Sequence, residues 1–173
     1  VSIEIIEPVP HILIAGGGHV GRCVALVADS LGWDYSIFDV RKEYSNSEKY
    51  PFSNENISTD VDDFLKSEDS ESLERFSDIL LLGHDWSVDQ ELLLGLLKLR
   101  EEKIRPRIGA IGSTSKWSSF KKAAIEYGIK EKWFENARCP IGIDIGAETP
   151  EEIGLAVCAE ILALDRKITH TEN

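Results

Sequence analysis

The 173 residues contain only three cysteines. Cys23, Cys139 and Cys158 lie far apart, which excludes the close pairs of a zinc knuckle and a disulfide-stapled mini-fold. They read as small buried hydrophobes. Basic side chains are outnumbered, 19 against 31 acids, for a net charge of -12. A surface of that sign disfavours non-specific contact with nucleic acid or anionic lipid, though it leaves space for a local basic pocket. No apolar run approaches the roughly 20 residues of a membrane helix. The first ten residues carry Glu4 and Glu7, no basic residue and no apolar core of signal-peptide length. These absences lead to the expectation of a cytoplasmic protein with neither nucleic acid nor membrane as partner. Methionine is absent altogether, and no functional consequence follows from it. Apolar residues are plentiful, at 42%, enough for the core of one domain of this length.

The chain is organised around Ile12-Leu13-Ile14-Ala15-Gly16-Gly17-Gly18-His19-Val20-Gly21. An apolar run leads into glycines, and later apolar positions fall at helical spacing (Val20, Val24, Val27, Leu31), which reads as strand, tight turn and helix. Gly16, Gly18 and Gly21 form G-x-G-x-x-G, the pattern of a dinucleotide-binding turn. Gly16 allows the turn, Gly18 a close approach of backbone to phosphate, and Gly21 close packing of helix on sheet. His19 and Val20 would complete the phosphate surround at the helix start, where free amides favour an anion. A second strand, 33–38, ends at Asp39. Its distance from the glycines suits an acid that accepts hydrogen bonds from ribose hydroxyls, and a turn cap is the plainer alternative. Arg41 and Lys42 offer an offset to Asp39 or a phosphate contact, or simply a solvated loop.

Residues 44–56 read as a long polar loop, 57–59 as a short strand, and the acidic stretch 62–76 as a short, weak helix with a solvated face. The buried strand 78–82 ends in Gly83-His84-Asp85. His84 and Asp85 thus stand at the carboxyl end of a strand, where ligands sit in this architecture. Asp89 is expected to cap or salt-bridge within the following helix, 88–99. Strand 107–111 leads to Gly112 and Ser113, which can cap the helix at 117–127 or donate to a phosphate or pterin ring. Residues 130–138 read as irregular. Thr149, Pro150 and Glu152 spell a capping box with proline at the first helical position, starting a helix that runs to about Asp165. The alternation of strands and helices gives an α/β fold: three layers, a doubly wound, mostly parallel sheet, Rossmann-like. The expected organisation is an N-terminal extension or edge strand at 1–10, the domain at 11–166 and a flexible tail at 167–173. No nucleophilic triad and no metal-ligand cluster stand at a recognisable spacing.

Several separated blocks together resemble the C-terminal Rossmann domain of the XdhC/CoxI family, maturation factors for molybdenum hydroxylases such as xanthine dehydrogenase. They are Gly16-Gly17-Gly18-His19-Val20-Gly21 with Gly32-Trp33, and Asp39-Val40-Arg41 with Tyr50-Pro51-Phe52. Gly83-His84-Asp85 with Asp89, and Ile108-Gly109-Ala110-Ile111-Gly112-Ser113, follow. The most specific runs from Pro140-Ile141-Gly142 through Asp144-Ile145-Gly146-Ala147-Glu148 to Thr149-Pro150-Glu151-Glu152-Ile153. The chain departs from the family pattern at Gly83, where threonine is common, and at Ser113-Thr114-Ser115-Lys116, where a more basic run is usual.

The resemblance implies an accessory factor that binds molybdenum cofactor (molybdopterin), or a nucleotide form of it, and hands it to an apo molybdenum hydroxylase. A cysteine desulfurase is the second implied partner, and a homodimer the implied assembly. The family's usual N-terminal domain, with its cysteine-bearing motif, would come from a separate polypeptide. In this reading Gly16, Gly18, His19, Val20 and Gly21 surround a phosphate, Asp39 and Arg41 set the ribose or pterin end, and His84, Asp85, Gly112 and Ser113 line the far side. Cys139, beside the most specific block, is a candidate to ligate or protect molybdenum. The expectation is a cofactor-binding chaperone rather than a stand-alone enzyme. The alternatives are an NAD-dependent oxidoreductase, whose cofactor half suits Asp39, and a nucleotide-sensing regulatory module.

Overall fold

A computed structural model describes residues 8–167. Of the expected extension or edge strand at 1–10, residues 1–7 lie outside the described residues, as does the expected tail at 167–173 beyond Lys167. Six strands, β1 (His11–Ala15), β2 (Asp34–Phe38), β3 (Asn56–Ile57), β4 (Asp78–Leu81), β5 (Arg107–Ala110) and β6 (Ala137–Arg138), form one sheet in the order β3-β2-β1-β4-β5-β6. All five pairings are parallel. That is the doubly wound nucleotide-binding order, with its switch point between β1 and β4. The helices are α1 (His19–Leu31), α2 (Val61–Ser67), α3 (Trp86–Arg100), α4 (Thr114–Glu126) and α5 (Pro150–Asp165).

The strands read as unbroken apolar runs because both faces are covered. Successive side chains alternate between two cores. Leu13, Ala15, Ile79 and Leu81 join Phe64, Leu92, Leu93, Leu96 and Phe120 on the face of α2, α3 and α4. Ile12, Ile14, Leu80 and Leu82 join Val24, Ala28, Val157 and Ile161 on the face of α1 and α5.

The structure moves several expected boundaries. The acidic stretch resolves into α2 and a 3-10 turn at Ser72–Arg75, and the stretch read as irregular supplies a 3-10 turn and the edge strand β6. β6 has two residues, too few for period-two alternation to show in sequence. Helices α3 and α4 begin two and three residues earlier than apolar spacing indicates, because Asp85 and Ser113 cap them.

Polar groups fix the amino-terminal edge of the sheet. Asp78, fully buried at the start of β4, receives both Nε (2.8 Å) and a terminal nitrogen (2.7 Å) of Arg107. The same guanidinium reaches Asp165 at the end of α5, 2.7 Å away. Buried Arg100 instead donates to carbonyls, those of Pro106 (3.1 Å) and Trp133, fastening α3 to the edge of the sheet. Breaking one side of a buried ion pair leaves an uncompensated charge. Asp78→Asn should therefore lower the unfolding free energy by about 3–5 kcal/mol, read as a drop in the urea midpoint at unchanged slope.

Candidate functional site

The carboxyl ends of the central strands open onto a crevice at the switch point. Gly16, Asp39, Arg41, Gly83, His84 and Asp85 line it, with Phe38, Val88 and Leu92 as apolar wall. Five of the residues expected from sequence (Gly16, Asp39, Arg41, His84 and Asp85) are thereby brought together.

The glycine turn is forced by its surroundings. Gly16 takes φ +119°, and a Cβ there would stand 2.6 Å from the Leu82 carbonyl carbon. At Gly17 a Cβ would run into the Tyr44 carbonyl oxygen, and at Gly21 into that of Gly16. Gly18 differs: nothing lies within 4 Å of a Cβ built on it, so its outer side is open. Helix α1 begins there with no side-chain cap and no acid in its first turn. Each of the other four described α-helices is capped by a side chain: Asp60, Asp85, Ser113 and Thr149. The amides opening α1 are thus left for an external anion.

Asp39 is buried, and both its oxygens are engaged. It accepts from the Gly17 N–H (2.9 Å), the Arg41 N–H (3.0 Å), and Arg41 Nε and a terminal nitrogen (3.0 Å each). Burial alone would raise its pKa. The hydrogen bonds from the Arg41 side chain and backbone and from Gly17 outweigh burial and hold the carboxyl below the usual range. Arg41 is further stacked on the Tyr44 ring, 3.8 Å from its centroid. From the other side, the buried Tyr50 hydroxyl donates to the Gly17 carbonyl at 2.7 Å, and burial pushes this phenol's pKa up, so it stays a donor. The segment read as a plain polar loop therefore builds the site. Its signal in sequence is faint: Tyr44, Tyr50, Pro51 and Phe52 scattered among polar residues.

The far side is more structural than ligand-ready. Asp85 accepts from the Ser87 N–H (2.9 Å) and hydroxyl (2.7 Å), capping α3, while His84 is exposed. Ser113 takes the Lys116 N–H at 3.2 Å, and neither it nor Gly112 lines the crevice. Asp89 is bonded across helices rather than within α3, to Lys116 Nζ on α4 (3.0 Å) and the Gly83 N–H (3.2 Å). Burial pushes its pKa up, and Lys116 partly offsets this. Val20 packs against the core. His19 turns toward α5, its Nε2 3.6 Å from Glu151 Oε1, with Cys23 beside them. Burial and the neighbouring Glu151 raise the Cys23 thiol. Cys139 is half-buried, its Sγ 3.7 Å from the Gly112 carbonyl, and burial raises its pKa too. No described helix is long and apolar enough to cross a membrane.

Strand order, glycine turn and uncapped helix start define a Rossmann domain of the nucleotide-binding type. Residues 12–161 match the XdhC Rossmann domain, and the chain belongs to that family. It is 33% identical over 153 residues to the uncharacterized protein YqeB of Escherichia coli K12, covering 88% of this chain and 27% of YqeB. A Bacillus halodurans structure described as a xanthine dehydrogenase superposes with TM-score 0.75 at 22% identity, over 96% of this chain and 46% of that one. The NAD(P)-binding domain of an Archaeoglobus fulgidus exopolyphosphatase-related protein superposes with TM-score 0.51 at 21% identity, over 68% and 84% of the two chains. At those identities both likenesses show the fold. The chain spans about a quarter of YqeB and under half of the Bacillus protein.

The Asp39 carboxylate links fold to pH. A carboxyl held below its unfolded pKa of about 3.9 contributes stability that is present above that value and lost as pH falls through the folded pKa. Asp39→Asn should cost about 1–3 kcal/mol at neutral pH. The gap from wild type should shrink steadily below about pH 4, as measured by urea unfolding at a series of pH values.

Proposed function

We propose that this domain binds molybdenum cofactor, or a nucleotide form of it, as cargo for maturation of a xanthine-dehydrogenase-type molybdenum hydroxylase. The observation that carries the reading is the start of α1, the one described α-helix without a side-chain cap, beside the open outer side of Gly18. Membership of the XdhC family supports the choice of cargo. The residues fit a phosphate-bearing pterin in kind. Backbone amides at Gly18, His19 and Val20 would take the phosphate, and the Arg41 guanidinium, partly exposed beside the crevice, would meet a second anionic or polar edge. His84 supplies an exposed ring at the other wall. These groups bind and orient, and none of them forms a nucleophile–base pair.

In this reading the domain acts as a chaperone, with the apo-hydroxylase and a cysteine desulfurase as partners. It works as a homodimer. Binding of NAD, toward an oxidoreductase or a nucleotide sensor, is the competing reading, favoured by the nucleotide-type strand order.

Native mass spectrometry of the full chain with molybdopterin, NAD and NADP in separate samples tests the proposal. A molybdopterin adduct is expected. Gly18→Val should weaken it at least about tenfold with folding unchanged, because the added side chain meets ligand rather than protein. An NAD adduct without a molybdopterin adduct would overturn the reading.

A further inference from the structure

We propose that His19, Cys23 and Glu151 form a binding site for a divalent transition-metal ion of the zinc class. His19 and Cys23 stand four residues apart on α1, which puts them on one helix face. Glu151 enters from the first turn of α5. His19 Nε2 is 3.6 Å from Glu151 Oε1, and the ligand atoms of all three residues lie within 4.8 Å of one another. Around a tetrahedral zinc ion, ligand bonds of about 2.0–2.3 Å set neighbouring ligand atoms roughly 3.3–3.8 Å apart. Small side-chain rotations close the difference.

The frame beneath these side chains is fixed. Gly154 lets α5 meet α1 backbone to backbone, since a Cβ there would lie 2.9 Å from the Cys23 carbonyl carbon. Glu151 sits one turn earlier. Its neighbour Glu152 is committed to the capping box, taking the N–H groups of Thr149 (3.0 Å) and Glu148 (2.8 Å), while Thr149 takes that of Glu152 (3.2 Å). The two adjacent acids thus divide their tasks, and Glu151 faces His19 instead of the backbone.

Cys23 is 6% exposed, whereas the His19 and Glu151 side chains are 72% and 67% exposed. A sulfur at the base with imidazole and carboxylate at the rim gives three protein ligands and an opening to solvent, the pattern that leaves a fourth position for water or an incoming ligand. The nitrogen–sulfur–oxygen set selects zinc-class ions over magnesium or calcium, which take oxygen ligands. A bound dication would also cancel the negative charge of Glu151 and a Cys23 thiolate beside the glycine turn, which helps an anion approach. The metal site itself does not rest on the cargo proposed above.

The test is cobalt(II) titration of the chelator-stripped full chain, reduced and anaerobic, with no pterin or nucleotide present. About one equivalent should bind, with a thiolate-to-cobalt charge-transfer band and tetrahedral d–d bands, and zinc should displace it. Cys23→Ser should abolish the charge-transfer band. The rim variants His19→Gln and Glu151→Gln should keep the far-UV circular dichroism of the wild type and weaken binding at least about tenfold. Cys139→Ser should change nothing. Absence of the band, its survival in Cys23→Ser, or its loss in Cys139→Ser would overturn the site.

Discussion

The peptide group of Gly17 is the point on which the ligand end of this domain depends. Its N–H goes to Asp39 at the end of β2, and its carbonyl takes the Tyr50 hydroxyl from the loop beyond. A buried peptide needs both partners, and both are supplied by side chains rather than by sheet or helix. Three separate pieces of chain are fastened at one residue: the turn after β1, the tip of β2 and the 42–55 loop. A side chain at Gly17 would strike the Tyr44 carbonyl, so the clamp and the glycine require one another. Arg41, held by Asp39 and stacked on Tyr44, belongs to the same assembly.

Around that clamp the domain distributes charge with purpose. A net charge of -12 repels anions at long range, yet an anion site needs only local donors. Acids and hydroxyls are spent on the starts of α2, α3, α4 and α5, where they satisfy amides internally. The start of α1 has no side-chain cap and no acid in its own first turn. The anion site proposed at the glycine turn thus rests on where caps are placed, not on a basic surface.

Much of this was legible in the sequence, and the reasons are specific. The β1–α1 unit announces itself because glycine spacing and apolar periodicity coincide over 20 residues. The capping box of α5 was equally plain, since Thr149, Pro150 and Glu152 act on their own backbone and need no tertiary partner. Asp39 could be singled out by its separation from the glycines. That its oxygens would be filled by Gly17 and Arg41 could not, because the fold of the following loop decides it. Asp85 lines the crevice and also caps α3, a second role that strand-end position does not reveal, and Ser113 caps α4, one of the two roles its place allowed. Tyr50 and the Asp89–Lys116 pair join residues more than 25 positions from their partners, beyond the reach of any local pattern. His19, Cys23 and Glu151 were not legible as a group, because Glu151 joins the other two only through the docking of α5 on α1.

That docking has a consequence for how the protein is made. Helix α5 covers Ile12, Ile14 and Val24 with Val157 and Ile161, residues separated by 133 to 149 positions. A ribosome releases β1 and α1 long before α5 exists. Throughout the intervening synthesis the part of that face that α1 leaves open waits for α5, and its apolar side chains are open to wrong partners. The clamp on the glycine turn, by contrast, draws its partners from residues up to Tyr50, so all of them are made well before α5 completes the core on that face.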